Sequence, residues 1–314
     1  MDKLQERTAL KRIGEVAYNK LNEKMTIIKY NNCKDVIVQF ENGFSTNAQY
    51  GNFKRGTIKS KDDALDRIGE ISYSNIGREE MIIIKYITAR KVVIKFKSGY
   101  ITTNSYKNFI TGNIRNPYYK SIYGVGFLGE GKYKTHTNNK TTKCYKTWAH
   151  MMDRCYNMNS YEKKHTYKDC TVCEEWHNFQ NFAKWYDENF YEINDEVMCI
   201  DKDILMKGNK IYSHSTCVFV PQHINNLFVK DNAKRGEYYI GVFRTKNSSS
   251  YISQCNNNGV KAAYLGSYDT PEEAYDVYKT HKEILIKQIA DKYKNYIPNK
   301  LYEAMYKYEV DITD

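Results

Sequence analysis

Two stretches in the N-terminal third of the chain, residues 36–40 and 92–96, have hydrophobic residues at their first, third and fifth positions and a polar residue at the fourth. Each follows a mostly apolar run and precedes a glycine, Gly43 in the first case and Gly99 in the second. Period-two alternation beside a glycine turn is typical of short, half-buried β-strands. We therefore expect a curled sheet or a small β-barrel in each of these regions.

The two regions are copies of one another. Residues 12–15 return as residues 67–70 with the sequence Arg-Ile-Gly-Glu, and residues 25–30 return as residues 81–86. The second correspondence has an offset of 56 positions, which also holds for Phe40/Phe96, Gly43/Gly99, Tyr50/Tyr106, Phe53/Phe109, Gly56/Gly112 and Ile58/Ile114. The chain therefore contains a tandem duplication. Its modules either bind nucleic acid, with Lys54, Arg55 and Arg115 as candidate contacts to phosphate, or serve as scaffolds with solvated faces.

Farther along the chain, apolar residues recur at helical spacing. Residues 174–186 carry Trp176, Phe179, Phe182 and Tyr186, which predicts a helix with an aromatic face. Pro271 followed by two glutamates is typical of the first turn of another helix, with Thr270 or Asp269 as its cap. Strand-rich and helix-rich segments together predict a multidomain α+β fold. We divide it into two β repeats at 1–60 and 61–117, a central domain at 118–232 and a C-terminal domain at 233–314.

The charge balance of the chain bears on its partners. The formal net charge of the 314 residues is +11, and 30 tyrosines and 12 phenylalanines are interleaved with many lysines and asparagines. Such a surface favours nucleic acid, with an anionic membrane surface as the competing partner. An AT-rich genome would enrich Lys, Asn, Ile and Tyr without any selection for binding. The positive balance is harder to explain that way, because such a genome supplies acidic codons as well.

The sequence predicts neither a transmembrane helix nor secretion. It has no apolar run of about 18 residues, and residues 1–11 are charged rather than apolar. We expect a cytoplasmic protein whose eight cysteines are reduced thiols or metal ligands. Cys170 and Cys173 with Cys155 form one candidate structural zinc site, although four ligands are needed. Buried thiols packed under Trp176 explain the same residues, and we favour that interpretation.

The central segment has a recognisable order of parts. A strand from Asp201 to Ile204 is followed by a turn with Asn209, a second strand from Val218 to Val220, and a helix that opens near Pro221. This order resembles the HNH endonuclease-like proteins of bacteriophages. The resemblance implies a hairpin and helix that hold one Mg²⁺ or Mn²⁺ ion against a scissile phosphate while a histidine deprotonates water.

The resemblance also implies roles for individual residues. Asp201 with Asn225 or Asn226 would ligate the metal ion, and Asn209 would orient the hairpin. The chain departs from the family where the base histidine is expected, because Lys202 occupies that position. His223 is the nearest substitute for the base. A lysine is a poor base near neutral pH unless it is strongly desolvated, so the resemblance predicts the fold better than the catalysis.

The C-terminal segment contains four notable runs, at residues 239–244, 251–255, 264–268 and 270–275, with Lys261 between the second and third of these. Together they resemble the DNA-binding domain of plant ethylene-response factors. It implies a three-stranded antiparallel sheet in the major groove, backed by a helix from about Pro271 to Asp291. The residues implied to meet double-stranded DNA on the open face are Arg244, Lys246, Tyr251, Ser253 and Lys261.

Three functions remain in competition at this point. The first is an active, metal-dependent homing or mobile endonuclease of the HNH type. The second is a DNA-binding protein of the same ancestry whose cleavage is weak or lost, and Lys202 favours it. The third is an adaptor for RNA or for an acidic protein, such as a factor directed against host defence.

Overall fold

A computed structural model describes residues 10–60, 67–158, 167, 169–229, 237–245, 249–257 and 260–312, with only the backbone at 257, 260 and 261. The chain divides into two compact units, Met1–Asn116 and Pro117–Asp314. Helices and small sheets occur in separate segments, which confirms the predicted α+β class. The predicted boundary between residues 232 and 233 lies outside the described residues.

The first unit contains two four-stranded antiparallel meanders. Their strands are β1 (Val16–Tyr18), β2 (Lys24–Asn32), β3 (Asp35–Phe40) and β4 (Ser45–Ala48), then β5 (Ile71–Tyr73), β6 (Glu80–Thr88), β7 (Lys91–Phe96) and β8 (Ile101–Asn104). Each sheet has its strands in sequential order. A one-turn helix follows each meander: α1 (Tyr50–Lys54) after the first and α2 (Tyr106–Ile110) after the second.

Each meander buries one face of its sheet. In β3 and β7 every second residue is inward and buried, as the alternation predicts. The helix closes the core with a phenylalanine, Phe53 in the first copy and Phe109 in the second, both almost fully buried. The opposite face of each sheet stays open to solvent, which antiparallel sheets allow.

The repeated Arg-Ile-Gly-Glu motif has the same contacts in both copies. The guanidinium of Arg12 lies 3.7 Å from the ring centroid of Tyr50, and that of Arg67 lies 4.0 Å from the ring centroid of Tyr106. The hydroxyl of Tyr50 donates to the carboxylate of Glu15. Cation–π stacking of this kind is worth about 0.5–2 kcal/mol. Through these contacts, the motif packs the segment before each sheet against the tyrosine that begins the one-turn helix.

The second unit contains the remaining elements. Its helices are α3 (Lys143–Tyr156), α4 (Phe179–Asn189), α5 (Gln222–Asn225), α6 (Pro271–Tyr293) and α7 (Asn299–Lys307). Its strands are β9 (His136–Thr137), β10 (Lys140–Thr141), β11 (Thr171–Val172), β12 (Met198–Asp201), β13 (Ile211–Tyr212), β14 (Val218–Pro221), β15 (Val242–Phe243), β16 (Tyr251–Asn257) and β17 (Val260–Tyr268).

The antiparallel pair β12–β14 lies between two hydrophobic cores. Phe219 and Ile200 pack into an aromatic core that contains Trp148 of α3, Trp185 of α4 and Trp176 of the 3-10 turn before α4. Val218 and Val220 face the other way, into a core shared with α6 and α7. Because both faces are covered, all four residues of β14 are buried and the strand reads as an unbroken apolar run.

The C-terminal sheet has the order β15-β16-β17 and packs against α6. The start of α6 is a capping box, in which the Thr270 hydroxyl accepts from the Glu273 N–H and the Glu273 carboxylate accepts from the Thr270 N–H. This confirms Thr270 as the cap. Ala274, Tyr275 and Tyr278 are buried on the inward face of α6.

The single helix predicted for residues 174–186 was wrong. A 3-10 turn (Glu174–His177) ends before Asn178, whose side chain caps α4. The polar residues 135–143 form the two-stranded β9–β10 hairpin and begin α3. Among the described residues, no helix combines the length and the hydrophobicity needed to cross a bilayer.

Candidate functional site

The strand β12 ends three residues earlier than predicted, at Asp201 rather than at Ile204. The Asp201 carboxylate causes this end, because its Oδ1 accepts from the backbone N–H groups of Asp203 and Ile204, both at 2.8 Å. A side chain that bonds the backbone two and three residues ahead turns the chain out of the strand. Residues 202–209 therefore form a compact loop rather than the rest of a strand.

Lys202 is buried inside this loop. Its side chain is 8% exposed, and its ammonium donates to the Asn209 carbonyl at 3.0 Å and to Asp203 Oδ2 at 3.2 Å. Burial alone would lower the pKa of Lys202, but the Asp203 carboxylate and other neighbouring acidic groups hold it above its usual value. The side chain is therefore a fixed cation at neutral pH and has no lone pair with which to accept a proton.

Asn209 closes the loop from the other end. Its Nδ2 donates to the carbonyl of Lys202 and to the carbonyl of Ile211, both at 2.7 Å. Its Oδ1 accepts from the Ile211 N–H. The amide of this single side chain thus ties the residue after β12 to the first residue of β13.

The Asp201 carboxylate lies in a poorly solvated position. Burial and the adjacent Asp203 carboxylate raise the pKa of Asp201 to about 6, even though the two backbone N–H donors oppose the shift. A raised pKa caused by desolvation is a property of many catalytic carboxylates, and also of carboxylates in structural loops. Here Oδ1 is already committed to the turn.

His223, Asn225 and Asn226 lie away from Asp201. The register places Asp201 opposite Val218, whereas Pro221, which precedes α5, lies opposite Met198. Three residues of strand separate the two ends by about 10 Å. The β12–β14 pair therefore does not bring these candidate ligands together in the way the HNH resemblance implies.

The three residues near α5 have other partners or surroundings. His223 Nδ1 lies 3.0 Å from Glu196 Oε2, and the Tyr293 hydroxyl donates to Glu196 Oε1 at 2.7 Å. Asn226 Oδ1 accepts from the side chain of Gln222. His223 is thus positioned by a carboxylate on the side of the domain where β12 begins, and Asn225 is half-buried in the same turn.

The cysteines proposed for zinc lie in the aromatic core. Cys155 and Cys170 are 2% exposed, and burial raises the pKa of Cys155 to about 12 and the pKa of Cys170 above its usual value. Burial also raises the pKa of Cys173. Raised thiol pKa values oppose the thiolate form that binds metal. Within the described ranges, no three His, Cys, Asp or Glu side chains are grouped so that they could hold a metal ion.

The predicted DNA-contacting residues of the C-terminal sheet do not share one face. Ser253 was expected on the open face, and this was wrong: it pairs with Val242 and Gly266 on the side that packs against α6, and it is fully buried. Tyr251 is half-buried on the same side, and Arg244 lies 5.4 Å above its ring centroid. Lys246 and the side chain of Lys261 lie outside the described residues.

The open face of this sheet consists of residues that the sequence analysis did not select. Phe243 is 39% exposed and Tyr264 is 67% exposed, and Gln254 lies beside Tyr264 in the pairing of β16 with β17. An irregularity in this pairing falls between Ser253 and Gln254. A bulge changes which residues point outward, and no composition signal marks it. This aromatic and amide face is the candidate reading surface, and Arg244 is exposed just after β15.

The candidate cations of the first unit differ in their surroundings. Lys54 forms an ion pair with Glu15 at 2.9 Å, and Arg55 donates to Asn52 Oδ1 at 2.6 Å. Arg115 is exposed. Of the three, Lys54 already has a carboxylate partner. The Lys54–Glu15 pair has no net charge, so it attracts a polyanion less strongly than a lone lysine would.

Comparisons with protein-family models, with curated proteins and with solved structures gave no match. No relative therefore tests the HNH resemblance or the ethylene-response-factor resemblance.

Proposed function

We propose that the protein binds double-stranded DNA, that it is related to phage HNH homing endonucleases, and that its cleavage activity is weak or lost. In this proposal it acts in the cytoplasm of a bacterial host cell. The observation that carries the proposal is the C-terminal sheet, which packs α6 on one face and exposes an aromatic and amide face on the other. A two- or three-stranded sheet of this kind fits the major groove.

The charge distribution of the chain supports the same proposal. Lys and Arg outnumber Asp and Glu by nine in residues 1–116 and by two in residues 117–314. Phosphate contacts supply affinity without sequence information, whereas base contacts supply specificity. The N-terminal unit is accordingly proposed to supply affinity, and the C-terminal sheet to read the sequence.

The Asp201–Lys202 loop supports weak or lost cleavage. A general base must reach the attacking water and accept its proton. The residue in the base position, Lys202, is instead a buried cation bonded to Asp203 and Asn209. If a divalent metal ion were bound here, Asp201 would supply the first ligand through its remaining oxygen. His223 does not complete such a site, since it is held by Glu196 beyond the other end of β14.

The proposal is tested by measuring the binding of the full-length protein to a labelled duplex of mixed sequence across a range of salt concentrations. Binding should weaken steeply with salt, with a slope of about −0.9 in log K against log salt for each phosphate contact. Selection from a random duplex library should then enrich a preferred site. An absence of duplex binding at low salt would contradict the proposal.

A further inference from the structure

The two copies of the N-terminal repeat differ sharply in charge on their central hairpin. In the second copy, the hairpin formed by β6 and β7 carries five cations, which we call the basic face: Lys85, Arg90, Lys91, Lys95 and Lys97. The equivalent positions of the first copy hold Lys29, Lys34, Asp35, Gln39 and Glu41. The duplication therefore provides two nearly identical scaffolds, of which one is strongly basic at this surface and the other is neutral.

The register of the second sheet directs these side chains to its open side. Val92, Ile94 and Phe96 are buried beneath β7, so the intervening Lys91 and Lys95 point outward. Lys85 pairs with Val93 on the same outward face, and Lys97 continues the alternation just after β7. Arg90 lies in the turn between the two strands. All five side chains are exposed.

Few acidic residues lie near the basic face along the chain. No Asp or Glu occurs from Met81 to Asn116. Glu79, just before β6, is already used within the fold, since it accepts from the Ser98 N–H and from the side chain of Asn116. Glu80 lies only at the Lys97 end of the hairpin, where its carbonyl accepts from the Lys97 N–H.

In the first copy, the carboxylates of the equivalent hairpin bond to neighbouring side chains. Asp35 accepts from the side chain of Asn31 at 2.8 Å, and Glu41 forms an ion pair with Lys24 at 3.2 Å. Both carboxylates occupy positions where the second copy has lysine. Within the described part of the second copy, in contrast, none of the five cations of the basic face lies within ion-pair distance of a carboxylate.

We infer that the basic face of the second repeat is the main phosphate-binding surface of the protein for duplex DNA, and that the first repeat contributes little. The inference rests on the proposed function. The line from Lys91 to Lys97 is about 20 Å long at roughly 3.3 Å per residue. Along that length a duplex presents about six phosphates on each strand. A linear row of cations matches a linear polyanion in both length and charge.

An anionic membrane is the other polyanionic surface to consider, because Ile84 and Ile101 are exposed on the same open face. Peripheral membrane binding, however, is strongest where apolar side chains penetrate the bilayer and cations surround them at the headgroups. Here Lys95 stands between Ile82 and Ile101 in one row across the sheet, and cations occupy the full length of the hairpin. Duplex DNA is therefore the partner to which the inference commits.

The test uses three full-length proteins: the wild type, the variant Lys85→Gln/Lys91→Gln/Lys95→Gln, and the matched control Lys20→Gln/Lys29→Gln/Lys34→Gln. Each variant removes three exposed positive charges, so the net charge changes equally. Unfolding by urea should show that both variants fold like the wild type. For each protein, the slope of duplex affinity against salt is then measured.

The second-repeat variant should lose about 2.7 from the magnitude of the slope, at about 0.9 for each contact, and should bind at least tenfold more weakly at low salt. The first-repeat control should keep nearly the wild-type slope. Equal slopes for the two variants, with a wild type that binds the duplex, would overturn the inference and leave the proposed function intact. A wild type that binds no duplex would overturn both. Loss of binding to anionic vesicles in the second-repeat variant, with duplex binding unchanged, would assign the basic face to a membrane instead.

Discussion

Lys202 and Asn209 form two reciprocal hydrogen bonds across the loop that follows β12. The Lys202 ammonium donates to the Asn209 carbonyl at 3.0 Å, and the Asn209 amide donates to the Lys202 carbonyl at 2.7 Å. An internal cation thus stabilises the loop at the position where the HNH resemblance implies a catalytic base.

The first prediction concerns the stability of this loop. Lys202→Met should lower the free energy of unfolding by about 1–3 kcal/mol, because the Asn209 carbonyl and the Asp203 carboxylate lose the ammonium that donates to them. Lys210→Met, at the exposed position that follows the loop, should change it by less than about 0.5 kcal/mol. Urea unfolding measures both values. Equal effects would show that the ammonium does not hold the loop.

The second prediction concerns the pH dependence of stability. Folding raises the pKa of Asp201 from near 3.8 to about 6, so the folded state binds its proton more tightly than the unfolded state. Stability from this group is therefore highest below about pH 4, falls as pH rises to about 6, and is constant above that. The loss is on the order of 2–3 kcal/mol, at about 1.4 kcal/mol per pKa unit.

Asp201→Asn isolates this contribution, since its carbonyl oxygen can still accept from the N–H groups of Asp203 and Ile204. The stability of wild type minus that of the variant should fall between pH 4 and pH 6. Carboxylates that do not interact with Asp201 cancel in the difference, whereas its interaction with Asp203 remains part of it. A difference that stays flat, or that rises with pH, would show that the Asp201 carboxylate is not destabilised by burial.

The third prediction concerns the close approach of the C-terminal sheet to α6. Gly241 has a φ of +76°, and a Cβ there would lie 2.0 Å from the Tyr278 ring. Gly241→Ala should therefore destabilise the domain by more than about 2 kcal/mol, through overpacking and backbone strain together.

Gly208→Ala is the matched control, because Gly208 has a φ of +81° and open space around its Cα. It should cost about 1–2 kcal/mol, from backbone strain alone. Thermal unfolding compares the two variants. A Gly241→Ala protein that is no less stable than Gly208→Ala would argue against the close packing of Tyr278 on the sheet.

The fourth prediction concerns the reading of the DNA sequence. Arg244→Ala should weaken binding to the preferred site by about 1–3 kcal/mol and bring it nearer to the affinity for random duplex. Ser253→Ala should leave both affinities unchanged, because this hydroxyl is buried beneath the sheet and has no hydrogen-bond partner among the described residues. Competition binding with the two duplexes measures both variants. Unchanged discrimination in Arg244→Ala would exclude this residue as a reader of bases.

The sequence predicted those features that depend on local pattern. The duplication and the Thr270 cap follow from residue identity and spacing, which directly determine strand alternation and helix starts. The end of β12 was placed wrongly because one carboxylate, Asp201, redirects the chain by bonding to two backbone N–H groups. A hydrogen bond of this kind leaves no periodic pattern in the sequence.

Features that depend on strand register could not be predicted from the sequence. The face on which Ser253 lies is fixed by its pairing with Val242 and by the irregularity after it. The charges of the basic face are visible in the chain, but their common outward direction depends on which residues of β7 are buried. Comparison of the two copies in sequence identifies the equivalent positions, but only the structure shows which of those side chains are exposed.

The central claim is that the protein binds duplex DNA and cuts it weakly or not at all. Its most direct test is to incubate supercoiled plasmid with the wild type and Mg²⁺ or Mn²⁺, at a salt concentration where a labelled duplex shows saturated binding in a parallel sample. Asp201→Ala and His223→Ala proteins are run beside it. We predict full binding by the wild type with little or no nicking, and any residual nicking should disappear in Asp201→Ala. Robust metal-dependent cutting by the wild type would contradict the claim, and cutting that survives Asp201→Ala would also place the catalytic centre elsewhere.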